Sequence, residues 1–456
     1  MTIHVAPPAT AIADRVLHPR SPGGIEAWLI EDHTLPILSA QFGFRGGPVL
    51  DPADRAGTAQ MLADLLSEGA GPLEGGAFRR ALGDQAIRLS FSIWSDSLRG
   101  ELKTLSRNVE RAFELLGLAV QAPLLAPDDM ARIRGAMASE VRAGLGRPDV
   151  TVGRAFAARG FSGHPYARPA SGDLASLECI ERADLVALQA RMLARGNLRV
   201  AVVGAIGPEA LCAVLDRAFA ALPAEAVEPT PATTLGGLGQ RVVTRLGLPQ
   251  STIRFGRPGI ARTDPDFAAA MVVNQCLGGG DLSSRLFREV REKRGLCYSV
   301  RSMLQVADGA CTFVGTTATS NDRAAEALGV IEDEIRRLSR EGLAAEEVDR
   351  AKGYLLGSYK LRLDTSSALA AVLLGLQLDG REPSWLDERN RQIAVVTPAD
   401  AARAAERLLG DGQLLVAAAG DPAGLLGEDR AIGPNAHTAR LGTDSGANET
   451  TGRGGI

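Results

Sequence analysis

The chain has 456 residues, 45% of them hydrophobic, and a formal net charge of −4, a length that exceeds one ordinary core and suits two domains of roughly 200 residues each. Its Lys and Arg are interspersed with Asp and Glu throughout, so no basic stripe offers itself to nucleic acid. No run approaches the ~18 apolar residues of a membrane span, and the opening MTIHVAPPATAIADRVLHPRSPGG lacks a basic segment followed by an apolar one, which makes a cytoplasmic chain without a membrane partner the expectation.

In chain order, the first half opens on a strand containing Phe42-Gly43 and enters a helix after the Asp51-Pro52 turn. IRLSFSIWS (87–95) alternates Ile87, Leu89, Phe91 and Ile93 with Arg88, Ser90, Ser92 and Trp94, the period of a half-buried strand. The half closes on IERADLVALQARMLARGNLRVAVVG (180–204), a helix followed by a buried strand. PAEAVEPTPATTLGGLGQ (223–240) has no hydrophobic period and reads as a linker. Beyond it the pattern returns. Phe255-Gly256 and Asp264-Pro265 stand 213 residues after their counterparts, and VVTPADAARAAERLLGDGQLLVAAAG (395–420) repeats the closing segment at an offset of 216. A nearly constant offset at both ends argues for an internal duplication. Strands and helices are segregated, so the expected class is α+β: two homologous domains, 1–222 and 241–426, joined by the 223–240 linker. A Gly-, Thr- and Asn-rich tail, 427–456, is expected to be disordered.

Five cysteines in apolar settings, with no C-x-x-C spacing, point to buried thiols rather than a disulfide frame or a zinc ribbon. Five histidines are present, no two of them three or four residues apart, and H-E-x-x-H, H-x-x-E-H, G-x-S-x-G and the phosphate-binding P-loop are all missing. His164, in GHPYA, reads as a structural hydrogen-bonding residue. The most distinctive stretch is GGGDLSSRLFREVREKRGLCYSV (278–300). Leu282, Leu286 and Val290, at i, i+4 and i+8, predict a helix with one inward stripe, while Arg288, Glu289 and Glu292 face elsewhere. Asp281 or Ser283 is its expected cap, Gly295 its left-handed stop, and Leu296–Val300 the strand that follows. Arg291 and Tyr298 then lie on opposite arms of a helix-to-strand elbow. The residues alone leave two roles open for this pair. It either presents donors to a ligand or only holds the elbow, Arg291 by pairing with Glu292 or Asp281 and Tyr298 as a half-buried strand aromatic.

This stretch resembles the C-terminal-half signature of the pitrilysin, insulysin and mitochondrial processing peptidase family. GIEAWLIEDHTLPILSAQFGFRGGPVLDP near the start, HPYA at 164–167, the ADL helix and the VAVVG strand agree with it. The resemblance implies two α+β domains, each a mainly antiparallel sheet with helices packed on it, facing each other as a clamshell half. In that family the first half carries H-x-x-E-H, two zinc histidines flanking a glutamate base. Here AGTAQMLADLLSEG puts Gln60 and Asp64 where the histidines would be and Ala63 where the base would be, with Glu140 at the third-ligand position. An amide and two carboxylates suit zinc poorly, and alanine accepts no proton. An interior hydrogen-bond network is therefore expected there, with no metal or cofactor in this chain. The implied function is that of a non-catalytic, substrate-binding subunit, inactive alone, in a heterodimeric zinc metallopeptidase. Arg291 and Tyr298 would act in trans on a peptide held by a homologous, zinc-bearing H-x-x-E-H partner. The alternative is a purely structural scaffold subunit of the same superfamily. The resemblance implies that in catalytic members a strand comparable to 87–95 pairs with the peptide backbone. Beside a degraded metal helix it is expected to be structural.

Overall fold

A computed structural model describes residues 12–360, 363–425 and 428–430. The first sheet consists of β1 (Trp28–Glu31), β2 (Ile37–Arg45), β3 (Arg88–Trp94), β4 (Ser97–Leu105) and β5 (Leu198–Gly204), in the order β1-β5-β2-β4-β3. The second consists of β6 (Arg241–Arg245), β7 (Gln250–Pro258), β8 (Val300–Val306), β9 (Cys311–Ser320), β10 (Leu415–Gly420) and β11 (Glu428–Arg430), in the order β11-β6-β10-β7-β9-β8. β1–β5, β6–β10 and β6–β11 pair parallel, and every other pair is antiparallel. The architecture is α+β in two like halves, as the sequence pattern required.

The duplication extends to register. Phe42 lies opposite Val200 and Gly100, and Phe255 lies opposite Val416 and Gly315. The two phenylalanines are buried in the cores of their own halves. Their rings lie over Gly100 and Gly315, where any side chain would run into them. The glycine that follows each phenylalanine points to the opposite face, because successive strand residues alternate, and there it meets a helix from the other half. A Cβ on Gly43 would come 3.3 Å from Leu378, and one on Gly256 would come 2.8 Å from Phe156. The helix Ser366–Leu378, from the second half, packs Leu369, Leu373 and Leu374 against Trp28, Ile30, Ala201 and Val203 of the first sheet. In return, the helix Pro148–Gly160 packs Val152, Ala155 and Phe156 against Val242, Val314, Leu415 and Ala417 of the second. Each sheet is thus covered on both faces, which is why Val200–Val203 of β5 and Leu415–Ala419 of β10 are apolar at every position. Each fully buried Leu, Val or Phe in these seams contributes about 1.5–3 kcal/mol, so the exchange of helices ties the halves together.

The 223–240 segment is extended coil, and it is fastened to both halves. Asn197 accepts the N–H of Val227 at 2.8 Å, Thr230 donates to Asp96 at 2.9 Å, and Thr233 N–H reaches Gly309 O at 2.7 Å. Tyr166 completes the seam, donating its hydroxyl to Asp96 at 2.7 Å and accepting the N–H of Gly309 at 2.9 Å. His164 caps this turn by accepting from the N–H of Tyr166, the structural role expected of it. The 87–95 stretch forms β3, at the sheet edge, with Leu89, Phe91 and Ile93 half-buried and Trp94 exposed.

Two expectations need correction. Of the five cysteines, all free, only Cys276 is buried, while Cys179 is exposed. In the tail, Glu428–Arg430 pair with β6, and the remainder lies outside the described residues. Among the described residues no helix is long and apolar enough to cross a membrane.

Candidate functional site

The 278–300 stretch opens with a close approach rather than an anion cradle. A Cβ on Gly278 would come 2.6 Å from Ser302 Oγ and 2.8 Å from its backbone nitrogen, so this glycine lets β8 pass tightly, with Ser302 donating to Asn274 at 2.9 Å. The segment that follows is a π-helix, Phe287–Glu292, entered through Ser284, whose Oγ accepts the N–H of Phe287 at 3.3 Å. Ser284 thus takes the place expected of Ser283, whose hydroxyl donates to Gly280 O at 3.0 Å, while the Asp281 side chain lies outside what is described. Leu286 and Val290 are fully buried, but Leu282 is 69% exposed and outside the stripe, because the chain there is a separate 3₁₀ turn. Gly295 takes φ +59°, and the N–H of Leu296 reaches back to Val290 O at 2.9 Å, six residues, a wide closure that suits π winding. The predicted strand does not start at Leu296. Its carbonyl accepts from Thr319 Oγ1 at 2.6 Å, and β pairing begins only at Val300.

The charges of this stretch are a foundation rather than a solvated face. Glu289 is buried and takes Lys293 at 2.7 Å and Arg294 at 2.9 Å. Burial pushes its carboxyl up, but the hydrogen bonds and charges of Lys293 and Arg294 outweigh burial and hold it at about 2. Arg285 forks onto Glu347 at 2.8 and 2.6 Å and lies 3.5 Å from buried Glu334, which also holds Arg337 at 2.5 Å. Glu334 and Glu347 lie on later helices and gave no local sign of this role in the sequence.

On this base sits the predicted pair. The Arg291 guanidinium lies 4.5 Å from the Phe287 ring centroid and 5.0 Å from that of Tyr298. The elbow does bring Arg291 and Tyr298 together, by cation–π stacking. Arg291 does not pair with Glu292, and the alternative through the Asp281 side chain lies outside what is described. Tyr298 is 83% exposed on a bend, not a half-buried strand aromatic. Among the described residues, neither side chain spends a donor on a hydrogen bond within the chain.

The first half holds the stretch where the resemblance places the metal helix of catalytic relatives. The helix Thr58–Leu65 starts where Asp51 accepts the N–H groups of Gly57 at 2.8 Å and Ala59 at 2.9 Å. It then presents Gln60 and Asp64 on one face. Gln60 donates to Asp64 at 2.9 Å, and Ala63 is buried in the core. Burial pushes the Asp64 carboxyl up against the pull of that hydrogen bond, and the charges of Glu140 and Glu68 add to the push. Glu140 is exposed on the helix Pro127–Leu145. Among the described residues no three His, Cys, Asp or Glu side chains converge as a metal site would require. The donor set therefore does not fit the zinc that the resemblance implies for catalytic relatives.

The chain is similar to known proteins in sequence and in fold. Residues 180–355 match the family described as the peptidase M16 inactive domain. An uncharacterised zinc protease of Streptomyces coelicolor is 30% identical over 318 residues, 68% of each chain. A non-peptidase homologue of Helicobacter pylori is 25% identical over 339 residues, 74% of this chain and 78% of that one. Among solved structures, a peptidase M16 inactive domain from Pseudomonas fluorescens superposes with a TM-score of 0.84 at 25% identity, covering 91% of this chain and 99% of that one. A protease from Helicobacter pylori does so at 0.79 and 19%, covering 89% and 99%.

Proposed function

The chain belongs to the peptidase M16 family, with residues 180–355 matching its inactive domain and a non-peptidase homologue among its relatives, and from that premise we propose that it is the non-catalytic, substrate-binding subunit of a two-chain metallopeptidase. Arg291 and Tyr298 serve peptide hydrolysis at the centre of a homologous partner that carries metal and base. The observation that carries this reading is the unspent donor pair: a guanidinium fixed by two rings and a hydroxyl on an 83%-exposed tyrosine. Stacking fixes the plane of the guanidinium while leaving its N–H edge open. Arginine then offers a permanent charge and tyrosine a neutral donor on a rigid stem. Two such donors at one peptide carbonyl polarise it and stabilise the oxyanion that forms on attack by water, each worth on the order of 10²-fold in turnover. With Ala63 at the base position, this chain has no group there to deprotonate that water.

The test is a peptidase assay of this chain alone, of an H-x-x-E-H-bearing partner alone, and of the mixture, with elemental analysis of each. Activity confined to the mixture, with zinc in the partner only, is the expected result. About one tightly held zinc per copy of this chain, with chelator-sensitive hydrolysis by the chain alone, contradicts the proposal.

A further inference from the structure

Between the halves lies a cavity of about 400 Å³ whose lining is chemically one-sided. Its walls are apolar and aromatic, with Trp94, Phe156 and Phe161 from the first half and Val314 from the second. Two arginines enter it, Arg168 from the first half and Arg254 from β7, and among the described residues no acidic side chain lines it. Both Nε atoms are buried without a hydrogen-bond partner. Arg254 donates to the neutral Gln305 at 3.2 Å and lies 5.2 Å from the Phe156 ring centroid. Neither arginine has a carboxylate within 4 Å among the described residues. Burial pushes the Arg254 guanidinium down, and no charge opposes that push. A cation removed from water is normally matched by an anion, and a guanidinium fork matches a carboxylate in two parallel hydrogen bonds.

We infer that this cavity binds a carboxylate carried on an aromatic or aliphatic body, with Arg254 taking the carboxylate and the aromatic walls taking the body. A small hydrated anion such as phosphate would leave those walls unused. Two sources share the required chemistry: the C-terminal residue of a peptide and a free aryl or alkyl acid. The volume lies within the range of small-ligand pockets. The cavity shares no lining residue with the elbow, so the inference stands or falls separately from the proposed role of Arg291 and Tyr298. Because both halves contribute walls, the ligand also braces one against the other.

The experiment is calorimetric titration of the full chain with N-acetyl-phenylalanine and with its amide. The acid is expected to bind at least about tenfold more tightly than the amide, the loss that follows from removing one charge-assisted pair. Arg254→Met, which keeps the length and removes the charge, is expected to abolish this preference without lowering Tm. Gly153→Leu is the second variant. Gly153 lines the cavity from the helix Pro148–Gly160, and a Cβ there meets nothing within 4 Å, so the new side chain fills the cavity without disturbing the fold. It is expected to lose binding at unchanged or raised Tm. A phenylalanine-terminated heptapeptide and its amide separate the sources: tighter binding of the peptide acid than of N-acetyl-phenylalanine assigns a peptide terminus, the reverse a free acid, and both uphold the site. Equal binding of acid and amide, no heat with the acid at millimolar concentration, or undiminished binding by Gly153→Leu overturns it.

Discussion

The two halves share a sheet register, yet the helix after the Asp51-Pro52 turn in the first and the helix-to-strand elbow of the second hold their polar groups in opposite ways. In the first half, the helix Thr58–Leu65 turns its polar groups on one another, Gln60 donating to Asp64 beside a buried Ala63. In the second, ion pairs on the buried carboxylates of Glu289 and Glu334 support a stacked arginine and tyrosine that, among the described residues, spend no donor on a hydrogen bond. Under the proposed function this difference has a physical reason: polar groups without a ligand are satisfied by one another, whereas donors meant for a substrate stay open on a stabilised base.

This contrast can be broken most severely at the guanidinium. Arg291→Ala is expected to reduce turnover of the two-chain mixture by on the order of 10²-fold, about 3 kcal/mol, with assembly and melting little changed. Steady-state kinetics beside analytical ultracentrifugation checks both parts. Glu334→Ala attacks the foundation instead. It removes the buried partner of Arg337 and a neighbour of Arg285, and a loss of about 3 kcal/mol in denaturant unfolding is expected.

Acid sharpens the same point. Because the folded-state pKa of Glu289 is depressed to about 2, its contribution is present above the unfolded value near 4.3 and is lost as pH falls from there to about 2. The stability curve is expected to steepen in that window by on the order of 2 kcal/mol, and Glu289→Gln should flatten it. The smallest effects compare the paired glycines. A Cβ on Gly256 meets the Phe313 carbonyl at 2.6 Å, which is backbone and cannot give, while one on Gly43 meets the side-chain ends of Leu378 at 3.3 Å and Leu374 at 3.5 Å. Gly256→Ala is expected to cost about 1–3 kcal/mol and Gly43→Ala less than about 1 kcal/mol in the same unfolding assay.

What was legible in the sequence follows from what is local. The Phe-Gly and Asp-Pro repeats showed the duplication because each half needs an inward ring and a close approach at the same register. Gly295 showed the elbow because only a left-handed stop permits it there. The exchange of helices was hidden, since Pro148–Gly160 and Ser366–Leu378 cover sheets of the other half and their apolar faces do not name a target. The π winding was hidden as well: Leu282 fits an α-helical stripe on paper, and an i→i−5 ladder leaves no distinct period in six residues. LCYSV reads as a strand, yet Leu296 spends its N–H on Val290 and its carbonyl on Thr319, so it cannot join the ladder.

Whether the elbow acts on a substrate rather than on its own fold is decided at a single hydroxyl, by Tyr298→Phe. The substitution removes one hydroxyl from a side chain that is 83% exposed and keeps the ring that stacks on Arg291. Folding, assembly and the partner's zinc should therefore be untouched. The kcat of the assembled mixture is expected to fall by on the order of 10²-fold. Full turnover by an assembled, zinc-loaded Tyr298→Phe mixture would contradict it and leave the elbow a purely structural feature.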